Sequence, residues 1–217
     1  IYCDTSLLTK APKITEEVNK VFQLFKNSLE RPTFKHLIVS PFNARRRLNL
    51  LIDNEIKNAK LGNPAYMLVK LNNLVDNEMI KKLYQASNAG VKIQLIIRGI
   101  CSLVPGLKGF SENIEVISII DRFLEHSRLM IFCNGGDELY YLSSADWMSR
   151  NIDRRIEVGC PIYDKSLQKN IKDMLTIQLA DNTKARLITK SQDNTYKRLN
   201  IKKPKRSQIE LYNYFKS

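Results

Sequence analysis

Two patterns of apolar residues alternate along the chain. Short continuous apolar runs are typical of strands covered on both faces of a sheet, and apolar residues at helical spacing are typical of amphipathic helices. The predicted strands are 36–40, 65–71, 91–99, 114–120, 124–135, 139–146, 154–162 and 185–189, with the end of another strand within 1–11. The predicted helices are 14–29, 44–61, 77–89, 165–179 and a last one from about 205. This order predicts an α/β sandwich, a mixed sheet with helices on both faces.

Turn-forming residues mark where several of these elements begin and end. Asn43 precedes the second helix, and its side chain is expected to cap that helix. Gly90 ends the third helix, and Gly135-Gly136-Asp137 joins two neighbouring strands. With 217 residues, the chain is long enough for one large core or two small ones.

The formal net charge of +13 favours polyanionic partners. These include nucleic acid, an anionic membrane surface, nucleotides and polyphosphate, and charge alone does not choose among them. A loose basic cluster lies near the C-terminus: Lys197, Arg198, Lys202, Lys203, Lys205 and Arg206. Because no apolar run approaches the ~18 residues of a membrane span, the predicted location is the cytoplasm, with peripheral association at the inner face of the membrane as a further option.

The four cysteines, Cys3, Cys101, Cys133 and Cys160, are widely spaced. None has the short Cys or Cys/His spacing of a zinc site, so they are predicted to be buried free thiols in a reducing cytosol.

A histidine and an arginine two positions apart, His126 and Arg128, are the first candidates for chemistry. Residues at i and i+2 of a strand share a face, so both side chains are expected to project into one site. An imidazole titrates near neutrality and can move a proton or carry a phosphoryl group. Beside a fixed guanidinium, such a group suits phosphate chemistry.

A second polar block follows further along the chain. It holds the donors Ser143, Ser144, Arg150, Asn151, Arg154 and Arg155. A phosphoryl group in transfer needs many cationic donors, because charge spreads over its oxygens in the transition state. We therefore predict that this block returns to the part of the sheet that holds His126.

Arg98 and Arg45–Arg47 are further basic candidates. Ligands of open α/β sheets bind beyond the carboxyl ends of strands, so Arg98 is expected either in the crevice or in a surface ion pair. Arg45–Arg47 crowd the predicted first turn of a helix, where cations oppose the helix dipole. Either a bound anion or neighbouring carboxylates are expected there.

For two more residues, the spacing in the sequence does not decide between a structural and a functional role. Tyr2, close to Asp4, is compatible with core packing and with stacking on a base. His36 opens an apolar strand without a basic residue at i+2, and we interpret it as structural.

Several of these stretches, in the same order, resemble the large bacterial polyphosphate kinase family. "EHSRLMIFCNGG" and "YYLSSADWMSRNIDRRIEV" are similar to its C-terminal part, and "IYCDTSLLT", "SPFNARRRLNLLIDNEI" and "IQLIIRGICSLVPG" resemble further segments. The resemblance covers nearly the whole chain. It implies a C-terminal fragment with a phospholipase D-like fold, in which 1–34 is the incomplete tail of a first domain and 36–217 a complete second domain.

The resemblance also implies an activity, the reversible transfer of the terminal phosphate of ATP to inorganic polyphosphate through a phosphohistidine. By motif, His126 matches an assisting histidine that is not itself phosphorylated, and it is counted with Tyr2 and Arg98 among the ATP contacts. Tyr2 would stack on the adenine. Arg128 and Arg155 are the candidate phosphate contacts.

Other parts of the family's site have no match in this chain. The phosphorylated histidine and the arginines near Mg²⁺ belong to segments upstream of "IYCD". The resemblance therefore implies that the chain alone is inactive, that Mg²⁺ arrives with ATP, and that no metal ligand lies here. The implied partners of the full-length protein are ATP, ADP, polyphosphate and further copies of itself, with no specific nucleic acid.

Two other hypotheses stay open. A phospholipase D or nuclease-type phosphodiesterase would share the fold and the histidine, but Arg128 stands where lysine is expected and Asn134-Gly135-Gly136 where an aspartate is expected. A non-catalytic domain that binds nucleic acid or another polyanion is permitted by the charge. Against it, the basic residues cluster at strand ends and turns rather than along one helix.

Overall fold

The computed structural model describes residues 1–27, 29, 31–198 and 203–216, so Lys202 of the C-terminal basic cluster lies outside the described residues. The strands are β1 (Tyr2–Cys3), β2 (Ile38–Ser40), β3 (Tyr66–Leu71), β4 (Lys92–Ile97), β5 (Ile114–Ile119), β6 (Leu124–Glu125), β7 (Arg128–Phe132), β8 (Leu139–Ser143), β9 (Glu157–Ile162) and β10 (Ala185–Leu187). The helices are α1 (Pro12–Lys26), α2 (Ala44–Lys60), α3 (Asn77–Asn88), α4 (Ser149–Asp153), α5 (Lys165–Leu179) and α6 (Ser207–Lys216).

One mixed sheet of eight strands forms the centre, in the order β10-β5-β4-β3-β7-β8-β9-β2. Strands β3, β4 and β5 are parallel neighbours, and the remaining pairs are antiparallel. The carboxyl ends of β3 and β4 therefore lie side by side at one end of the sheet. Strands β1 and β6 form a separate parallel pair.

Helices cover both faces of the sheet, which confirms the predicted α/β sandwich. On one face α2 and α3 bury Ile52 and Leu83 against strand residues such as Val69. On the other face α5 buries Leu175 against residues such as Ile131. Among the described residues, no helix is both long and apolar enough to span a membrane.

Helix α1 packs at the β2–β9 edge of the sheet, where Val21 and Leu24 join Val39 in a third apolar cluster. The buried carboxylate of Glu17 in α1 accepts the backbone N–H groups of residues 35, 36 and 37, at 2.6, 3.0 and 2.8 Å. Burial acts to raise the pKa of Glu17, but these donors outweigh it and the pKa is lowered. The N-terminal segment is thus anchored to the rest of the chain by a charge.

Three local expectations differ from the structure. The first helix starts two residues earlier than predicted, because Pro12 is well suited to the first helical turn. The four cysteines are free thiols as predicted, but Cys3 is exposed rather than buried, because it lies in the short strand β1 outside the large sheet. The expected side-chain cap by Asn43 is wrong: its amide accepts the N–H of Val39 (2.7 Å) and donates to the carbonyl of Leu37 (3.1 Å).

Glu55 of α2 is fully buried and holds two other elements against its helix. Its carboxylate accepts the N–H of Asn134 (2.6 Å) and the N–H of Tyr66 (3.2 Å). Burial is the larger effect and raises the pKa of Glu55 to about 7, although the bond from Asn134 acts in the opposite direction.

This pKa predicts a pH dependence of stability. Between the ordinary value of 4.5 and about 7, the folded state keeps a proton on Glu55 that the unfolded state has lost. The free energy of unfolding is therefore expected to fall as the pH rises through this window, by about 3 kcal/mol for a shift of this size. Urea denaturation across the window measures it. Glu55→Gln should flatten the decline, whereas Glu16→Gln, at an exposed position of α1, should keep it; an equal decline in both variants would contradict the assignment to Glu55.

Candidate active site

A cleft of about 810 Å³ lies at the carboxyl ends of β3 and β4. The segment after β1, the corner between β6 and β7, the end of β8 and helix α4 complete its walls. Its polar lining consists of Asp4, Thr5, Thr9, Asn72, Asn73, Arg98, His126, Arg128, Ser143, Ser144, Asp146, Arg150, Asn151, Arg155 and Glu157. The two polar blocks and Arg98, which are far apart in sequence, therefore meet in one place, as expected.

His126 lies between β6 and β7 rather than inside a strand, and its backbone N–H donates to the carbonyl of Cys3 at 2.9 Å. The Arg128 guanidinium lies against the imidazole, with Nη1 3.2 Å from Nδ1 of His126. Nη1 also donates to the His126 carbonyl at 3.1 Å. The two side chains therefore share one site, although the strand geometry assumed for them starts only at Arg128.

Asp146 holds Arg128 in this position. Its buried carboxylate accepts from Nε of Arg128 (3.0 Å), the backbone N–H of Asn72 (2.9 Å) and Nδ2 of Asn73 (2.9 Å). Burial acts to raise the pKa of Asp146, but the bonds from Arg128 and Asn73 outweigh it and the pKa is lowered. Asp146 is therefore an ionised anchor for the guanidinium.

Arg98 follows β4 directly and its Nε donates to Oδ1 of Asn72, while Nδ2 of Asn72 lies 3.5 Å from the His126 carbonyl. The close approach of the two strand ends requires Gly99. A Cβ at this position would lie 2.6 Å from Oδ1 of Asn73 and 2.7 Å from the backbone oxygen of Asn72. Asn72, Asn73 and Asp146 escaped the sequence analysis, because single amides and a carboxylate at strand ends have no periodic signal.

Tyr2 is not a core residue. The parallel pairing of β1 with β6 places its ring 4.8 Å from the His126 ring, and the side chain is 62% exposed. Asp4, two residues later, brings Oδ2 to 3.5 Å from Nδ1 of His126. Of the two options left open for Tyr2, core packing is excluded.

Helix α4 and the start of β9 supply the basic wall of the cleft. Arg150 and Arg155 are exposed and line it, whereas Arg154 does not. Glu157 accepts from Oγ of Ser144 (2.5 Å) and Nδ2 of Asn151 (2.6 Å), which ties the end of β8 to α4.

The arginines at the start of α2 lie outside the cleft. Arg45 pairs with the carboxylates of Asp76 (2.8 Å), Asp153 (2.6 Å) and Glu78 (2.9 Å). Burial acts to raise the pKa of Asp76, but the bonds from Arg45 and Ser149 outweigh it and lower the pKa to about 2. Carboxylates thus explain Arg45 at this helix start, and the network fixes both ends of α4. His36 also lies elsewhere, with Nδ1 2.8 Å from the Tyr163 hydroxyl.

Comparison with known proteins gives a consistent picture. The family model described as "Polyphosphate kinase C-terminal domain 2" matches residues 37–208. The polyphosphate kinase of Vibrio parahaemolyticus is 52% identical over 100% of this chain, which covers 31% of that protein. For the polyphosphate kinase of Escherichia coli K12 the identity is 48%, over 100% of this chain and 32% of that protein. The chain thus spans about a third of the length of these curated relatives.

Solved structures agree with the sequence comparisons. The polyphosphate kinase from Porphyromonas gingivalis matches with a TM-score of 0.92 and 45% identity, over 96% of this chain and 32% of that one. Nuc from Salmonella typhimurium, a phospholipase D family member, matches with a TM-score of 0.52 and 12% identity, over 70% of this chain and 96% of that one. The second match shows a shared fold and nothing more.

Proposed function

The chain belongs to the polyphosphate kinase family, and on this premise we propose that it supplies one half of a phosphoryl-transfer site. The longer protein would move the terminal phosphate of ATP reversibly to inorganic polyphosphate, through a phosphohistidine carried by the rest of that protein. The observation that supports this most directly is the cleft, in which a histidine and several arginines converge, with an exposed tyrosine ring against that histidine. Residues 1–34 would complete the preceding domain and residues 36–217 would form the second one.

The arginines would bind the phosphates. Arg98 and Arg128 are held at fixed positions by Asn72 and Asp146, so little reorganisation is needed when charge develops on a transferring phosphoryl group. Arg150 and Arg155 also line the cleft and are exposed, so they are available to a second phosphate. Of these, Arg98 is the proposed ATP contact, and Arg128 and Arg155 are proposed phosphate contacts.

His126 would assist the transfer as an acid or base. Its Nδ1 lies close to both Oδ2 of Asp4 and Nη1 of Arg128, so a carboxylate and a guanidinium orient the ring from two sides. These contacts hold the imidazole beside the guanidinium that is proposed to bind phosphate, which is the placement that a proton donor at this site requires.

Tyr2 would hold the adenine of ATP. Its ring is exposed and lies beside His126, which lines the cleft. An exposed aromatic face next to a phosphate site is suited to stacking on a base.

Mg²⁺ would arrive with ATP, and its protein ligands are proposed to lie in the rest of the longer protein. No group of three or more histidine, cysteine, aspartate or glutamate side chains among the described residues is placed to hold a metal ion. The cleft carboxylates Asp146 and Glu157 are already bonded within the protein. We therefore assign no step of this chain's chemistry to the metal.

The proposal also covers the setting of the longer protein. ATP, ADP and polyphosphate would be its substrates and products, and it would assemble as a homo-oligomer. Its proposed location is the cytoplasm. We also propose peripheral association with the inner face of the membrane, and only the positive net charge supports that part.

A joined protein tests this proposal. In it, the C-terminal third of the Escherichia coli polyphosphate kinase is replaced by this chain, which aligns with that relative over its whole length. With ATP and magnesium, the joined protein is expected to form acid-labile phosphate on the protein and polyphosphate as product, and this chain alone is expected to form neither. The unmodified Escherichia coli enzyme is the positive control. A joined protein that folds but forms neither product would contradict the proposal, and hydrolysis of a phosphodiester by this chain alone would favour the phosphodiesterase alternative.

A further inference from the structure

A second cationic surface lies beside the cleft, and we call it the basic ridge: Arg122, Lys184, Lys203 and Lys205. It starts at the same end of the sheet as Arg98. Strands β4 and β5 are parallel neighbours, and β10 pairs with β5 so that Ala185 is opposite Ile119. Arg98 and Arg122 therefore follow the ends of β4 and β5, and Lys184 directly precedes β10 at the same end. At about 4.8 Å between strands, the backbone of Lys184 lies roughly 10 Å across the sheet from that of Arg98.

Backbone hydrogen bonds hold the other two lysines next to Lys184. The carbonyl of Lys205 accepts the N–H of Asn182 (3.1 Å) and the hydroxyl of Thr183 (2.9 Å). The carbonyl of Lys203 accepts from Nδ2 of Asn182 (3.1 Å). The ridge is thus a fixed arrangement of charges rather than a loose tail.

Among the described residues, the four side chains are not held in close ion pairs, although Lys184 is near enough to Asp121 to contribute, after Arg206, to the lowered pKa of that carboxyl. None of them makes an ion pair within 4 Å in the part of the chain that the structure describes. The nearby Asp121 is occupied by Nε and Nη2 of Arg206, at 2.8 and 2.7 Å. Asp181 is fully buried and accepts backbone N–H groups, including those of Lys184 and Ser207.

The position of the ridge at a helix start raises its positive potential further. Lys203 and Lys205 directly precede α6, whose N-terminal dipole end is positive. Glu210, in the first turn, is the exposed carboxylate of that helix start. Mutual repulsion of this kind is relieved by a polyanion, which neutralises several cations at once.

We propose that the basic ridge binds inorganic polyphosphate beyond the portion held in the cleft, so that a long chain lies across the ends of β4, β5 and β10. This inference rests on the proposed function, because the cleft must hold one end of the same polyphosphate. The ligand is a bare polyanion rather than a nucleic acid, since three of the four ridge residues are lysines, whose ammonium groups are point charges without a face for a base. Tripolyphosphate would be held by the cleft alone, and a long chain by both surfaces.

The experiment compares long-chain polyphosphate with tripolyphosphate in equilibrium binding to this chain. The variant K184Q/K203Q/K205Q is expected to bind long-chain polyphosphate about tenfold or more weakly, with an affinity that depends less on salt. Its affinity for tripolyphosphate should equal that of the unmodified chain. The matched control is K57Q/K60Q/K81Q, in which three exposed lysines of α2 and α3 are changed. The control should bind both ligands like the unmodified chain, and thermal unfolding checks that both variants fold.

The outcomes separate the ridge from the proposed function. If the ridge variant and the unmodified chain bind long-chain polyphosphate with equal affinity, the proposed role of the ridge is contradicted, and the proposal for the cleft is unaffected. An equal loss of affinity in the control variant also contradicts the role of the ridge, because the loss is then caused by the lower net charge. If neither polyphosphate binds the unmodified chain, the substrate proposed for the cleft fails as well. Duplex DNA that binds more tightly than long-chain polyphosphate, and through the same lysines, overturns the choice of ligand.

Discussion

Replacing His126 by alanine in the joined protein is expected to lower polyphosphate synthesis by about two to four orders of magnitude, the usual loss when a general acid or base is removed. The side chain is half-buried between Tyr2, Asp4 and Arg128, and it is the histidine of the cleft lining. The initial rate of polyphosphate formation at saturating ATP measures the effect. Acid-labile phosphate on the protein should also form more slowly, because His126 is proposed to act on the same transfer.

The chain contains a matched control. His36→Ala removes its only other histidine, whose ring contacts Tyr163 outside the cleft. This variant should retain the rate of the unmodified joined protein. A rate for His126→Ala that is equal to that of His36→Ala would remove His126 from the proposed mechanism, while leaving open a role of the arginines in phosphate binding.

The second large effect is expected on stability. Asp146→Ala removes the carboxylate partner of Arg128, and the two side chains are 8% and 12% exposed. Breaking a buried ion pair in this way leaves an uncompensated charge and typically costs about 3–5 kcal/mol. That is a large fraction of the roughly 5–15 kcal/mol by which a domain is stable. Urea denaturation of this chain measures the change in the free energy of unfolding.

Two further variants test whether the loss of stability comes from the buried ion pair. Asp146→Asn keeps the shape and part of the hydrogen bonding, so it should lose less stability than the alanine variant. Asp137→Ala removes a carboxylate that is 84% exposed and lies 3.9 Å from Lys165, and it should change the free energy by less than about 1 kcal/mol. Similar losses for Asp146→Ala and Asp137→Ala would show that the Arg128–Asp146 pair does not support the fold.

Periodicity predicted the layers of this fold well, because burial leaves a direct trace in the sequence. In β3 the consecutive apolar residues Met67, Leu68 and Val69 are buried against the helices on the two sides of the sheet. The apolar spacing of α5 predicts its observed bounds, and in the structure Asp164 caps the helix by accepting the N–H groups of Ser166 and Leu167. The short helix α4 was missed, since five residues are too few to show a helical period.

The site was predicted in part, and the missing part has a physical reason. His126, Arg128 and Arg98 are polar side chains at the ends of apolar runs, a pattern that the sequence alone makes visible. Asn72 and Asp146 act through bonds to those arginines, and such contacts depend on strand neighbours that a sequence does not specify. The position of Tyr2 beside His126 depends on a parallel pairing of two short strands about 120 residues apart, which no local rule predicts.

The β1–β6 pair affects the order in which the parts of the cleft form during folding. It closes a very long loop with two short strands, so its entropic cost is high and its own contacts are few. The large sheet, by contrast, is held by many long-range strand pairs. The pair is therefore expected to form after the sheet during folding and to open before it during local unfolding. Opening would separate Tyr2 and Asp4 from His126 without disturbing the core, so the surroundings of His126 can come apart while the protein stays folded.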